Sequence, residues 1–286
     1  MSTPIDRARY LLLAGRPEQA LQELGALPID EAFGPPAMQV RCAALILLKR
    51  WPEAVEAARA GLAAGGPDPQ LLLWLGQAEQ EMGHPEAVEQ ALLGGLALDP
   101  GDVDLLCAYA DLCVAEGQPD KAAQLVAHAA AEDPHAAVVF ATRVRVAFAL
   151  GDDREAERIG QEFVAAYPED PYALALLGSA NAVRGDARTA YSNYRQAAAA
   201  QPANEVLTDV AMEMRVAQHP LMRPLYPMRR FGPLQTWLAW IALTTLLRAT
   251  GFRAVVLVLT PIWLLYCIYS WVVPPLLRRH LRRSLR

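Results

Sequence analysis

Residues 177–202 read LGSANAVRGDARTAYSNYRQAAAAQP, and four positions within them decide the fold. Each has counterparts upstream at steps of 34 residues. The slot of Gly185 holds Gly15, Lys49, Gly83, Gly117 and Gly151. The slot of Ala190 holds Ala20, Ala54, Val88, Ala122 and Ala156, and that of Pro202 holds Pro100, Pro134 and Pro168. The slot of Gly178 is small in Ala8, Cys42, Gly76 and Ala110, with Val144 the exception. Glycine makes up roughly 7% of an average sequence, so five of six at one slot has a chance of about 10⁻⁵.

Physical chemistry gives each slot a task. A tight junction between two antiparallel helices needs a residue tolerant of positive φ, which is glycine. Small residues in the slots of Gly178 and Ala190 let the two helices approach where they cross. Proline cannot continue a helix, so it closes the unit. The spacing resembles the tetratricopeptide repeat, whose period is about 34 residues. Gly83-His-Pro-Glu-Ala-Val and Gly151-Asp-Asp-Arg-Glu-Ala are similar to its inter-helix turn, and Leu98-Asp99-Pro100 to its end. The resemblance implies an all-α fold: a solenoid of six helix-turn-helix repeats over 1–202 and a capping helix over 203–218. Repeats 1 and 2 depart most, with no terminal proline in register and Lys49 in the glycine slot.

Composition changes after His219. From Leu221 onward there is no acidic residue, and ten arginines stand at 223, 229, 230, 248, 253, 278, 279, 282, 283 and 286. That leaves sixteen basic residues against all thirty-one acidic ones upstream, so a region of formal charge −15 precedes one of +10. The basic residues are interleaved with long apolar runs, which argues against nucleic acid as the partner. A basic, proline-containing linker over 219–232 precedes a membrane region over 233–277 and a basic tail over 278–286.

Ala254–Leu277 is 24 residues without a charge. About 20 helical residues cross a hydrocarbon core of roughly 30 Å, so this segment is long enough to span. Phe231–Leu247 offers 17 uncharged residues, which suits either a short span or a helix lying on the membrane surface. Two spans joined at 248–253 would form a helical hairpin. Eight arginines on its flanks against two in its loop predict that repeats and C-terminus share the cytoplasmic side. A single span would put the two ends on opposite sides. Arg229, Arg230, Arg278, Arg279, Arg282, Arg283 and Arg286 form a basic cluster suited to the lipid surface. No signal-peptide pattern is expected at the N-terminus. The bias toward arginine and alanine suggests a GC-rich bacterial source, hence the inner membrane.

Motifs of chemistry are sparse. His84, His128, His135, His219 and His280 share no ligand spacing, and Cys42, Cys107, Cys113 and Cys267 form no CxxC pair. There is no phosphate-binding glycine loop, GxSxG or HExxH. Glu53, Glu86, Asp120 and Glu155 recur beside the inter-helix turns, where acidic groups stabilise helix N-termini. No catalytic residue, metal or cofactor is expected, and an enzyme is the least favoured reading.

Binding remains. In proteins of the family this chain resembles, the first helices of the repeats line a concave groove. Carried onto this sequence, the groove set is Arg9, Gln39, Gln70, Leu73, Gln77, Gln80, Asp104, Asp111, Arg145, Phe148, Tyr172 and Ser179. These side chains suit an extended peptide or a partner helix. Family members that clamp a chaperone's C-terminal carboxylate use lysine and asparagine there. This chain has only Lys49 and Lys121, neither in the groove set, which argues against that subtype. The expected function is a membrane-anchored adaptor that recruits a protein or peptide. The alternative is an integral subunit of a larger secretion, envelope or transport assembly, and self-association stays open.

Overall fold

The computed structural model describes residues 3–202, 204–250 and 253–283, and every regular element among them is helical. Six antiparallel pairs follow in order: α1 Pro4–Leu13 with α2 Pro17–Gly25, then, after a single-turn α3 Ile29–Ala32, α4 Pro35–Leu47 with α5 Trp51–Gly65. Next come α6 Pro69–Glu81 with α7 Pro85–Leu98, and α8 Val103–Ala115 with α9 Pro119–Glu132. The last pairs are α10 Ala137–Ala149 with α11 Asp153–Ala166, and α12 Pro171–Val183 with α13 Ala187–Ala200. The chain divides into two compact units, 1–166 and 167–286.

Local chemistry starts and stops these helices. Proline opens α2, α5, α6, α7, α9 and α12, where its missing N–H would have had no partner anyway. Asp68, Asp102 and Asp186 cap α6, α8 and α13 by accepting from backbone N–H groups of the first turn. At the junction of α12 and α13, Gly185 has φ +86°. Its N–H donates to the Ala182 carbonyl at 3.0 Å and that of Asp186 to the Asn181 carbonyl at 2.9 Å, which is the Schellman closure. The Lys49 turn closes the same way at φ +57°: the Lys49 N–H donates to the Ile46 carbonyl and the Arg50 N–H to the Leu45 carbonyl, each at 2.9 Å. Repeat 2 therefore turns as the others do. The missing proline at the end of repeat 1 is explained by α3, which occupies the link instead.

Close helix crossing is visible atom by atom. A Cβ at Gly76 would lie 3.1 Å from the Leu92 side chain, and one at Gly178 3.0 Å from the Tyr194 ring. Ala8, Cys42, Ala110 and Val144, in the same slot, are fully buried. Contacts between successive repeats use a further slot of the same 34-residue frame, shared by Gly61, Gly95, Ala129, Phe163 and Ala197. A Cβ at Gly95 would stand 2.7 Å from Leu105 of the next repeat, and one at Gly61 2.8 Å from Leu71. In the first unit one buried cluster joins α4, α5 and α6 and another joins α7 to α10, and Phe140 stacks on Phe163 at 5.3 Å.

In the second unit α14 Glu205–Ala217 packs on α13. A 3-10 turn, Pro220–Leu225, leads into α15 Tyr226–Ala249, broken at Gly232 (φ +77°), and α16 Arg253–Arg283 follows. Within α16, Leu257–Arg279 is 23 residues long and contains an 18-residue window of mean hydropathy 1.7, long and apolar enough to cross a membrane. Many of its apolar side chains are exposed, Leu257 by 78% and Trp271 by 82%. Trp263 joins the two helices, stacking on Trp240 at 4.6 Å and meeting Trp237 edge-on at 6.2 Å. The distal half of α16 is held against α14. Leu277 is buried among Met212, Val216, Met222 and Leu225, and Arg278 pairs with Glu213. The Tyr269 hydroxyl donates to the Leu221 carbonyl at 2.5 Å, and that of Tyr266 to the Pro224 carbonyl at 3.1 Å.

Candidate functional site

Repeats 3 and 4 enclose a cleft of about 440 Å³. The α6 wall presents Gln70, Leu73, Trp74, Gln77 and Gln80, the α8 wall Asp104, Ala108 and Asp111. Val138 of α10 closes one end, and Leu92 and Gly76 supply the floor. Helical geometry explains the set. Residues 70, 73, 77 and 80 recur at spacings of three and four and so share one face of α6. The floor is low because Gly76 carries no side chain.

Two carboxylates face this cleft in different states. Asp111 accepts from Nε and Nη2 of Arg145 at 2.7 and 2.6 Å, and Thr142 Oγ1 accepts from the same Nη2 at 2.8 Å. This pair is held as a unit. Asp104 has no cationic partner among the described residues. Asp104 is exposed at the edge of the cleft, and partial desolvation there, then the neighbouring Asp102 carboxylate, push its carboxyl above the usual range. The amides of Gln70, Gln77 and Gln80 make no hydrogen bond to the protein among the described residues. Each therefore offers a donor and an acceptor to a ligand.

Of the twelve expected groove residues, Gln70, Leu73, Gln77, Gln80, Asp104 and Asp111 line the cleft, with Arg145 beside it. The other five lie elsewhere. Gln39 Nε2 donates to both carboxylate oxygens of Asp68, each at 3.1 Å, so it braces the start of α6. Arg9 is exposed on α1, and Phe148 is half-buried on α10. Tyr172 and Ser179 lie on α12 in the second unit, Tyr172 49% exposed and Ser179 donating to the Leu176 carbonyl at 2.7 Å. Trp74, Ala108 and Val138 escaped the sequence reading, because the carried positions describe an average repeat. The Arg145–Asp111 pair was legible in principle: the two stand 34 residues apart, so the period stacks them.

Elsewhere in the first unit, Glu79 is 3% exposed, and its carboxylate accepts from Arg59 Nη2 at 2.7 Å and lies 2.7 Å from His84 Nδ1. A buried carboxylate so paired ties α5, α6 and the turn after α6 together. Burial pushes the Cys42 thiol up to about 12 and that of Cys107 to about 11, so both are packing residues. No group of three or more His, Cys, Asp or Glu among the described residues could hold a metal ion. Of the basic cluster, Arg278 is paired with Glu213 and Arg279 is exposed. The side chains of Arg229, Arg230, Arg282 and Arg283, and all of Arg286, lie outside the described residues.

Residues 113–180 match the tetratricopeptide repeat family. No curated protein matches the chain in sequence. Among solved structures, the tetratricopeptide repeat protein TTC0263 of Thermus thermophilus is similar at 18% identity and TM-score 0.60, over 64% of this chain and 99% of that one. A tetratricopeptide repeat protein of Parabacteroides merdae is similar at 14% identity and TM-score 0.63, over 74% and 83%. The type IV pilus biogenesis factor PilW is similar at 18% identity and TM-score 0.58, over 72% and 96%. The fold is therefore that of the tetratricopeptide repeat.

Proposed function

We propose, from the tetratricopeptide-repeat fold, that this chain is a membrane-anchored adaptor whose repeats bind a protein or peptide on the cytoplasmic face of a bacterial inner membrane. The cleft of repeats 3 and 4 carries this reading. It gathers side chains from four helices around amide groups that make no hydrogen bond to the protein among the described residues. The exposed apolar length of α16 supports the anchor, because an uncovered apolar surface of that extent is unfavourable in water. Its proximal half, and the tryptophan-lined α15, are left for lipid.

Two measurements test the proposal. Full-length protein is extracted from membranes in mild detergent and its co-purifying proteins are identified, beside a Leu73→Asp variant and a chain ending at Gln218. A partner retained by the shortened chain and lost by Leu73→Asp supports the adaptor. A partner retained by Leu73→Asp but lost on shortening moves the function to α15 and α16, and to a subunit of a membrane assembly. For sidedness, a cysteine replacing Thr250 in a chain lacking its four native cysteines is probed with a membrane-impermeant reagent. Labelling of intact cells supports a hairpin that crosses the bilayer; labelling only after lysis removes that topology.

A further inference from the structure

We infer that the cleft of repeats 3 and 4 selects an extended peptide segment carrying a protonated amine or guanidinium, and that Asp104 receives that cation. This rests on the reading of the cleft as a partner-binding site and names the chemistry of the partner.

Charge complementarity is the first argument. Of the two cleft carboxylates, Asp111 is already neutralised by a bidentate arginine, whereas Asp104 has no cation within the described protein. Asp104 is exposed in the cleft lining with the like-charged Asp102 beside it, so a cation brought by a ligand relieves that repulsion. An acidic ligand would instead meet Asp102, Asp104 and the field of a repeat region of formal charge −15.

Shape is the second. Gln70 and Gln80 are ten residues apart on α6, about 15 Å along the helix. An extended chain covers that in four to five residues at about 3.3 Å each. Neutral amides at Gln70, Gln77 and Gln80 can each pair with a backbone N–H or C=O without regard to sequence. Selectivity is then left to the one unmatched charge. Leu73, Trp74 and Val138 give apolar surface for the methylene stem of a lysine or arginine, whose charged end stays wet. The opening toward solvent predicts binding that weakens with salt.

The test uses full-length protein in detergent and a displayed library of random twelve-residue peptides, with Leu73→Arg, whose guanidinium would fill the cleft and compete for Asp104, as the cleft-blocked control. Peptides lost on that control are synthesised with a fluorophore and their affinities measured by anisotropy. The expected result is enrichment of lysine or arginine at one register position. Replacing that residue by norleucine should weaken binding about tenfold, and Asp104→Asn should weaken the basic peptide equally while leaving the norleucine peptide unchanged. Circular dichroism confirms that Asp104→Asn is folded. If cleft-dependent peptides show no basic preference, or bind Asp104→Asn unchanged, the inference is overturned and the adaptor stands. If no peptide depends on the cleft, both fall. Acetylating the peptide N-terminus distinguishes the source of the cation: unaltered binding assigns it to the side chain, and lost binding to the α-amine.

Discussion

Lys49 holds the left-handed backbone that Gly15, Gly83, Gly117, Gly151 and Gly185 hold in the other turns. A Cβ in that region costs about 1–2 kcal/mol, while glycine loses about 0.5–1 kcal/mol more than alanine in chain entropy on folding. The difference favours glycine, so Lys49→Gly should stabilise the protein by about 0.5–1 kcal/mol, read from thermal denaturation. Gly185→Val runs the other way. Nothing lies within 4 Å of an added Cβ at φ +86°, so the whole cost is backbone strain, about 1–3 kcal/mol. An unaltered melting temperature would mean that the turn tolerates a side chain. Asp104 has a pH signature. Its folded pKa is raised above the ordinary 3.8, so the folded state binds the proton more tightly and stability falls as pH rises through that window. Asp104→Asn should therefore raise the melting temperature at pH 7, with the gain vanishing below about pH 3.8. A gain that persists in acid would place the cause in packing and not in charge.

At the scale of elements, the contact between α14 and α16 separates apolar burial from ion pairing. Leu277 is 6% exposed among Met212, Val216, Met222 and Leu225, whereas the Arg278–Glu213 pair is about half exposed on both sides. Truncating a buried leucine costs about 2–5 kcal/mol, and an exposed ion pair contributes about 0–1 kcal/mol. Leu277→Ala should release α14 and the 220–225 turn to faster hydrogen exchange, with Arg278→Ala nearly silent. Equal effects would mean that the ion pair, not the apolar cluster, holds α16 in place. The same contact refines the membrane reading. Tyr266, Tyr269 and Leu277 fall inside the 23-residue apolar stretch yet are engaged by α14 and the turn before α15. Hydropathy alone does not distinguish residues that face lipid from those that face the cap.

At the scale of the whole molecule, α14 is not a fully polar end cap, because Met212 and Val216 are covered by residues that follow Gln218. A chain ending at Gln218 should keep its helical circular dichroism but self-associate through this uncovered patch. Met212→Lys with Val216→Glu should return it to a monomer in sedimentation. Association that survives both substitutions would place the self-contact elsewhere on the repeats.

What the sequence determined alone was everything that repeats or is local. The 34-residue period places glycine at φ-positive turns, small residues at helix crossings and prolines at ends, each acting within a turn or between adjacent helices. It thereby specifies six helix pairs, and the arginine-rich, acid-free end marks the apolar helices. Tertiary structure alone decided which groove residues share a cleft. It neutralised Asp111 with Arg145 and left Asp104 without a cation, diverted Gln39 to Asp68, and brought Leu277 back to α14 across 65 residues of chain from Met212. The reason is that desolvation and charge pairing depend on the three-dimensional surroundings of a side chain, which no single period along the chain encodes.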